Sequence, residues 1–309
     1  MKLVLRISVF LILISQACID QVPLDFPVDE SRTLVVDALI SDYPEESLIT
    51  IGWTFPSDVK CVYNSDGLFP VPCEVDNSGG PYSVTGKVIL SDETGHQHEY
   101  PIRMKNRVGF IRIEPAIAGT PGVKYFMDIE INYNQKTSLY HAETRMIKTP
   151  PISWVSYVIR TGQLFKEDAF VPLISFHEPQ HVDNYYLFFL CELSRKSTTD
   201  YCSAGITVSS VIQDDFLPEY VEGLSVDDGA SILKYRDFYP HVTDGVGARV
   251  TMSSVTRETY EFYKASLDQF YNDGGAYSPT PSTPGGNISG GAIGLFRAQD
   301  SSVGEIYLE

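Results

Sequence analysis

The sequence predicts a mainly β protein, with an N-terminal immunoglobulin-like β-sandwich followed by a second β-rich domain that carries one late amphipathic helix. Three observations predict it. Short apolar stretches alternate with polar residues at period two, clusters of Gly, Pro, Asn, Asp and Ser separate them, and helical spacing is convincing only near residues 256–271. The pair Pro150-Pro151 divides the chain, because two prolines cannot continue a strand ladder.

The first seventeen residues read as a signal peptide. Lys2 and Arg6 form a basic start, the run from Ile7 to Ile14 has the length of a signal h-region, and the small Ala17 precedes Cys18. That run is too short to cross a bilayer, which takes roughly 20 apolar residues. The pattern resembles a bacterial lipoprotein signal, in which cleavage before Cys18 leaves that cysteine to carry lipid; Ser15 stands where such signals usually have Leu. Residues 18–31, with Pro23 and Pro27, then form an extended tether.

The first domain, residues 32–149, opens with Leu34 to Ile40, turns at Ser41-Asp42-Tyr43-Pro44 and resumes at Leu48 to Trp53. Cys61 to Pro81 is a long Asn, Gly, Pro and Ser-rich insertion. Val88-Ile89-Leu90 and His96 to Arg103 read as a hairpin about a Gly95 turn. In the clearest strand, Tyr125, Met127, Ile129 and Ile131 alternate with Lys124, Asp128, Glu130 and Asn132, and Tyr140 to Ile147 closes the set. The second domain, residues 150–309, begins at Ile152 to Ile159 and continues with the apolar run Tyr185 to Leu190, to which residues 205–212 can pair. Residues 214–239 are acidic and less regular, and 247–253 make a further strand. In the helix near 256–271, Tyr260, Tyr263, Leu267 and Phe270 recur at spacings of three and four, and an aromatic stripe of that kind packs into a core.

Forty acids against twenty-three bases give a formal net charge of −17 over 309 residues. That sign repels nucleic acid and anionic lipid and suits a solvated exported surface. Apart from Cys18, the cysteines fall into two local pairs. An oxidising compartment favours Cys61 with Cys73 and Cys191 with Cys202, since the zinc patterns of paired Cys and His are missing beside them.

His177-Glu178-Pro179-Gln180-His181 matches the zinc-peptidase HExxH spacing, which works only when a helix sets both histidines on one face. Pro179 costs about 3 kcal/mol inside a helix, so the stretch reads as a turn between strands. The Gly-rich ending, 285–296, lacks the strand-to-helix setting and the Lys-Ser/Thr of a phosphate loop, and its glycines read as bulges and close backbone approaches. No catalytic residue, cofactor or metal site is assigned.

The order of features resembles one family. Cys18-Ile19-Asp20, Leu34-Val35-Val36-Asp37, the Gly122 to Tyr133 strand, Phe176 and Pro179 before Asn184-Tyr185-Tyr186, Tyr260 to Tyr263, and Gly286-Asn287-Ile288-Ser289-Gly290-Gly291 through Gly294-Leu295-Phe296 are similar to the Bacteroidota outer-membrane lipoproteins classed as domain of unknown function 4249. Gly286 and Leu295 replace that family's usual Ser and Tyr. Phe176-His177-Glu178-Pro179 replaces its usual Phe-x-Asp-Pro. The resemblance implies a lipid-anchored outer-membrane protein, periplasmic or surface-facing, often encoded beside TonB-dependent transporters. The expected function is therefore a non-catalytic accessory or binding partner of such a transporter in nutrient uptake, with a structural or adhesive surface lipoprotein as the alternative.

Overall fold

The computed structural model describes residues 33–43, 46–53, 84–104, 110–115, 117–133, 135–160, 169–194, 208–213, 217–225, 246–271 and 284–308. The chain is mainly β. Its strands are β1 (Leu34–Ser41), β2 (Leu48–Trp53), β3 (Val84–Asp92), β4 (Gln97–Met104), β5 (Phe110–Ile113), β6 (Lys124–Tyr133) and β7 (Lys136–Arg145). They continue with β8 (Ile152–Arg160), β9 (Ala169–His177), β10 (Tyr185–Ser194), β11 (Val208–Gln213), β12 (Tyr220–Ser225), β13 (Val246–Val255) and β14 (Ile293–Tyr307). One helix stands among the described residues, α1 (Arg257–Tyr271).

The strand order is that of two immunoglobulin-like sandwiches in tandem. In the first module β1-β2-β5 lie in one sheet and β4-β3-β6-β7 in the other. In the second, β12-β9-β8 face β11-β10-β13-β14. Counting from each module's first strand, the first, second and fifth make one sheet, and the fourth, third, sixth and seventh make the other. The pairs inside each module are antiparallel throughout. Such a division, with strands crossing between sheets, is how the immunoglobulin-like sandwich buries two inner faces.

The period-two patterns give the cores. Tyr125, Met127, Ile129 and Ile131 are buried on β6, against Val36, Ala38, Ile40, Ile49 and Ile51 of the opposite sheet. The second core gathers Phe170, Ile174 and Phe176 with Tyr186, Phe188, Val250 and Met252. The unbroken apolar run of β10 has its own cause. Tyr186 and Phe188 face this core, while Tyr185 and Leu187 on the other face meet Val255 and the helix residues Tyr260 and Tyr263. Helix α1 is capped by Thr256, whose hydroxyl accepts the Thr259 N–H at 3.3 Å, and the Tyr185 and Tyr260 rings lie 5.0 Å apart.

Strand β14 belongs to both modules. Its first half pairs parallel with β1, from Val35 with Ile293 to Ser41 with Gln299. Its second half pairs antiparallel with β13, from Ser254 with Asp300 to Gly247 with Tyr307. One seven-stranded sheet, β11-β10-β13-β14-β1-β2-β5, therefore runs across the Thr149-Pro150-Pro151 crossover. Ile288, Phe296 and Ala298, late in the chain, fill the first core. The short β5 and β12 carry no sequence pattern strong enough to announce them, and β12 lies in the acidic stretch read as less regular.

Candidate functional site

Cys18, the residue expected to carry lipid, lies outside the described residues, as do Cys61, Cys73 and Cys202. Cys191 lies on β10. No described helix is long and apolar enough to cross a membrane.

The His177-to-His181 stretch is the turn between β9 and β10. His177 ends β9 and packs its ring 5.0 Å from that of Tyr220 on β12. His181 is exposed, with φ of 65°. The residue that sequence reasoning undervalued is Glu178, which is only 4% exposed. Its carboxylate accepts from Asn184 Nδ2 at 2.7 Å and from the Tyr186 hydroxyl at 2.7 Å, and its backbone N–H donates to the Glu219 carbonyl at 2.9 Å. Asn184 also donates to the carbonyls of Pro179 at 3.1 Å and Val182 at 3.2 Å. The glutamate thus closes the loop, with its oxygens turned to buried donors. Among the described residues, no group of three or more His, Cys, Asp or Glu side chains could hold a metal ion. An acid before proline, followed six and eight places later by Asn and Tyr, was the available signal.

The Gly-rich ending is a clasp on the first module. The Asn287 side chain donates to the carbonyls of Phe296 at 2.7 Å and Glu143 at 3.0 Å, and accepts the Phe296 N–H at 2.8 Å. Ser289 exchanges bonds with His141 on β7: its N–H donates to the His141 carbonyl at 2.7 Å, and its Oγ accepts the His141 N–H at 2.9 Å. Ile288 between them enters the core. The strap joins β7 to β14 and covers the open side of the sandwich. Gly294 has φ of 130°, and a Cβ there would fall on the Val36 carbonyl of β1.

A cleft of about 210 Å³ opens at the crossover end of the first module, with Ile40, Leu90 and Ile117 on its apolar walls and Asp92, His96 and His98 among its polar residues. Asp92 is already satisfied. It accepts from the Thr94 hydroxyl at 2.6 Å, Thr94 N at 2.8 Å and His96 N at 3.1 Å, with His96 Nδ1 3.1 Å away. The Thr94 hydroxyl bond holds its carboxyl well below the usual range; desolvation opposes it, and the His96 contacts add to the lowering.

The second module exposes apolar side chains on its three-stranded sheet. Trp154 is 65% exposed, Val158 39% and Tyr220 44%. Residues 152–159 of β8 and 169–176 of β9 carry no charge, although the whole chain has a net charge of −17. Aromatic and uncharged surface of this kind suits contact with another protein.

The family model described as Domain of unknown function (DUF4249) matches residues 19–304. No curated protein matches the chain. Among solved structures, chicken CNTN1 FN1-FN3 domains align at 8% identity and a TM-score of 0.24, over 71% of this chain and 59% of that one. The chicken interferon gamma receptor alpha chain aligns at 9% identity and a TM-score of 0.20, over 72% of this chain and 89% of that one.

Proposed function

We propose a function for a chain that belongs to the DUF4249 family: it is an outer-membrane lipoprotein, held by acyl groups on Cys18, that serves as a non-catalytic binding partner of a TonB-dependent transporter in nutrient uptake. The observation that carries the reading is where the polar and apolar groups go. Glu178, Asp92 and Asn287 are engaged in closing loops and straps, while Trp154 and Val158 stand exposed on the uncharged stretch 152–159 of β8, and Tyr220 stands exposed beside Glu222 on β12. Side chains used in that way support recognition by surface contact. Two or three acyl chains make anchoring durable, each buried methylene contributing about 0.8 kcal/mol. Confinement at the membrane then raises the effective concentration of the partner, so a weak interface suffices. Pairing of Cys191 with Cys202, and of Cys61 with Cys73, belongs to the same proposal and to the oxidising side of the envelope.

The test is recovery of the tagged lipoprotein from outer membranes in mild detergent, beside a Cys18→Ala control, read by mass spectrometry. A β-barrel transporter recovered in stoichiometric amount and lost with Cys18→Ala is the expected result. Repeated recovery of the lipoprotein alone would overturn the transporter reading in favour of a structural or adhesive one.

A further inference from the structure

The two modules meet at an elbow where several polar groups converge on β14. β14 is 15 residues long, about 50 Å at the rise of a strand. One of its edges is paired with β1 up to Gln299 and the other with β13 from Asp300 onward. The crossover residue Thr149 is only 6% exposed and is bonded to both β14 and β13. Its N–H donates to Asp300 Oδ2 at 2.6 Å, its hydroxyl donates to the Asp300 carbonyl, and the same hydroxyl accepts the Ser254 N–H at 2.8 Å. On either side, Ile152 N–H donates to Ser302 Oγ at 2.8 Å, the Ser253 and Ser301 hydroxyls share a bond at 2.8 Å, and Asp42 N–H donates to the Gln299 carbonyl at 3.1 Å.

We propose that this elbow is a lock, in which the shared strand β14 and the Thr149–Asp300–Ser254 hydrogen bonds make the two sandwiches move as one rigid body at a fixed angle. Two independent modules joined by a proline linker are expected to swing about it. Here a swing has to break the β1 ladder, the β13 ladder or the Thr149 bonds, because the two ladders meet with no free residue between Gln299 and Asp300. Thr149 is the weakest of the three, since its hydroxyl alone ties the crossover to β13. The consequence is that whatever the second module recognises is held at a set distance and orientation from the first. This inference rests on the fold and holds whether or not the partner is a transporter.

The test uses amide residual dipolar couplings from the whole mature chain, fitted separately for the two modules. In the wild type both sets are expected to fit one alignment tensor of the same magnitude and orientation. Thr149→Val, which removes the hydroxyl but keeps the N–H, is expected to make the two tensors unequal, while Thr149→Ser restores a common one. Unequal tensors in the wild type would overturn the rigid body. A common tensor in both Thr149→Val and Asp300→Ala would overturn the lock. Hydrogen exchange at Ser254 provides a second readout that needs no interpretation of global fold: its amide is expected to exchange faster in Thr149→Val, and unchanged protection would also count against the lock.

Discussion

Replacing Asn287 by Ala tests whether the Gly-rich ending is a clasp or a mere tail. The Asn287 amide bonds both the N–H and the C=O of Phe296, as a paired strand residue would, on the edge of β14 away from β1. Phe296 is fully buried, so water does not replace what the amide supplies. Each buried group left without its partner costs about 1–3 kcal/mol. The bond to the Glu143 carbonyl lies at an exposed residue and adds little, because water can take it over. The expected loss is therefore about 3–5 kcal/mol, a fall in melting temperature on the order of 10 °C for a chain this size. Urea unfolding of the chain from Ile19 onward, read by tryptophan fluorescence and by hydrogen exchange along residues 293–299, measures it. Ser289→Ala, which removes one hydroxyl acceptor at an exposed site, is expected to lose only about 0.5–1 kcal/mol. A loss below about 1 kcal/mol for Asn287→Ala would show that the strap does not close the sandwich and refute the reasoning.

Glu178→Ala leaves the Tyr186 hydroxyl and the Asn184 amide short of a buried acceptor and should lower stability by about 2–4 kcal/mol. His177→Ala with His181→Ala, by contrast, should change neither stability nor metal content, and zinc lost on that pair of substitutions would revive the metal reading. Gly294→Ala meets both a positive φ and the Val36 carbonyl, and a loss of about 2–4 kcal/mol is expected in the same unfolding assay. Burial, and then the Asp300 charge, push the Asp42 carboxyl above its ordinary value. A carboxyl raised on folding favours the protonated form, so its ionised form opposes folding once the pH rises through the folded value. Asp42→Asn should therefore stabilise the chain at neutral pH by under about 1 kcal/mol, given solvent screening, and the gain should vanish below about pH 4. Trp154→Glu should leave stability within about 0.5 kcal/mol, as an exposed substitution does, while lowering recovery of the proposed partner; unchanged recovery would remove the three-stranded sheet from the interface.

Much of the fold was legible because its strands are half-buried. β6 shows Tyr125, Met127, Ile129 and Ile131 on one face and charges on the other, and every one of those four is buried. The helix was legible for the same reason at a different period, with Tyr260 and Tyr263 packed beside Tyr185 and Leu187. What could not be read was the pairing. β5 has four residues and β12 six with a register shift between Val221 and Leu224, too short for alternation to stand out. That the second domain repeats the first in strand order depends on contacts between residues far apart, and neither period nor composition records those. The role of Glu178 was hidden for a related reason. A glutamate next to proline reads as exposed turn, and only the arrival of Asn184 and Tyr186 from the next strand makes it a buried cap.

The shared strand also ties the completion of both modules to the ending of the chain. Residues 286–299 close the first module through Asn287, Ile288, Ser289 and the β1 pairing, and residues 300–307 supply the seventh strand of the second. Neither sandwich is finished until the last part of the chain is available. A truncation before Gly286 would therefore expose Phe296's place in one core and the β13 edge in the other, and unpaired edges of that length invite association. Folding must wait for these distant contacts, which are the slow kind because loop closure precedes the energy they return.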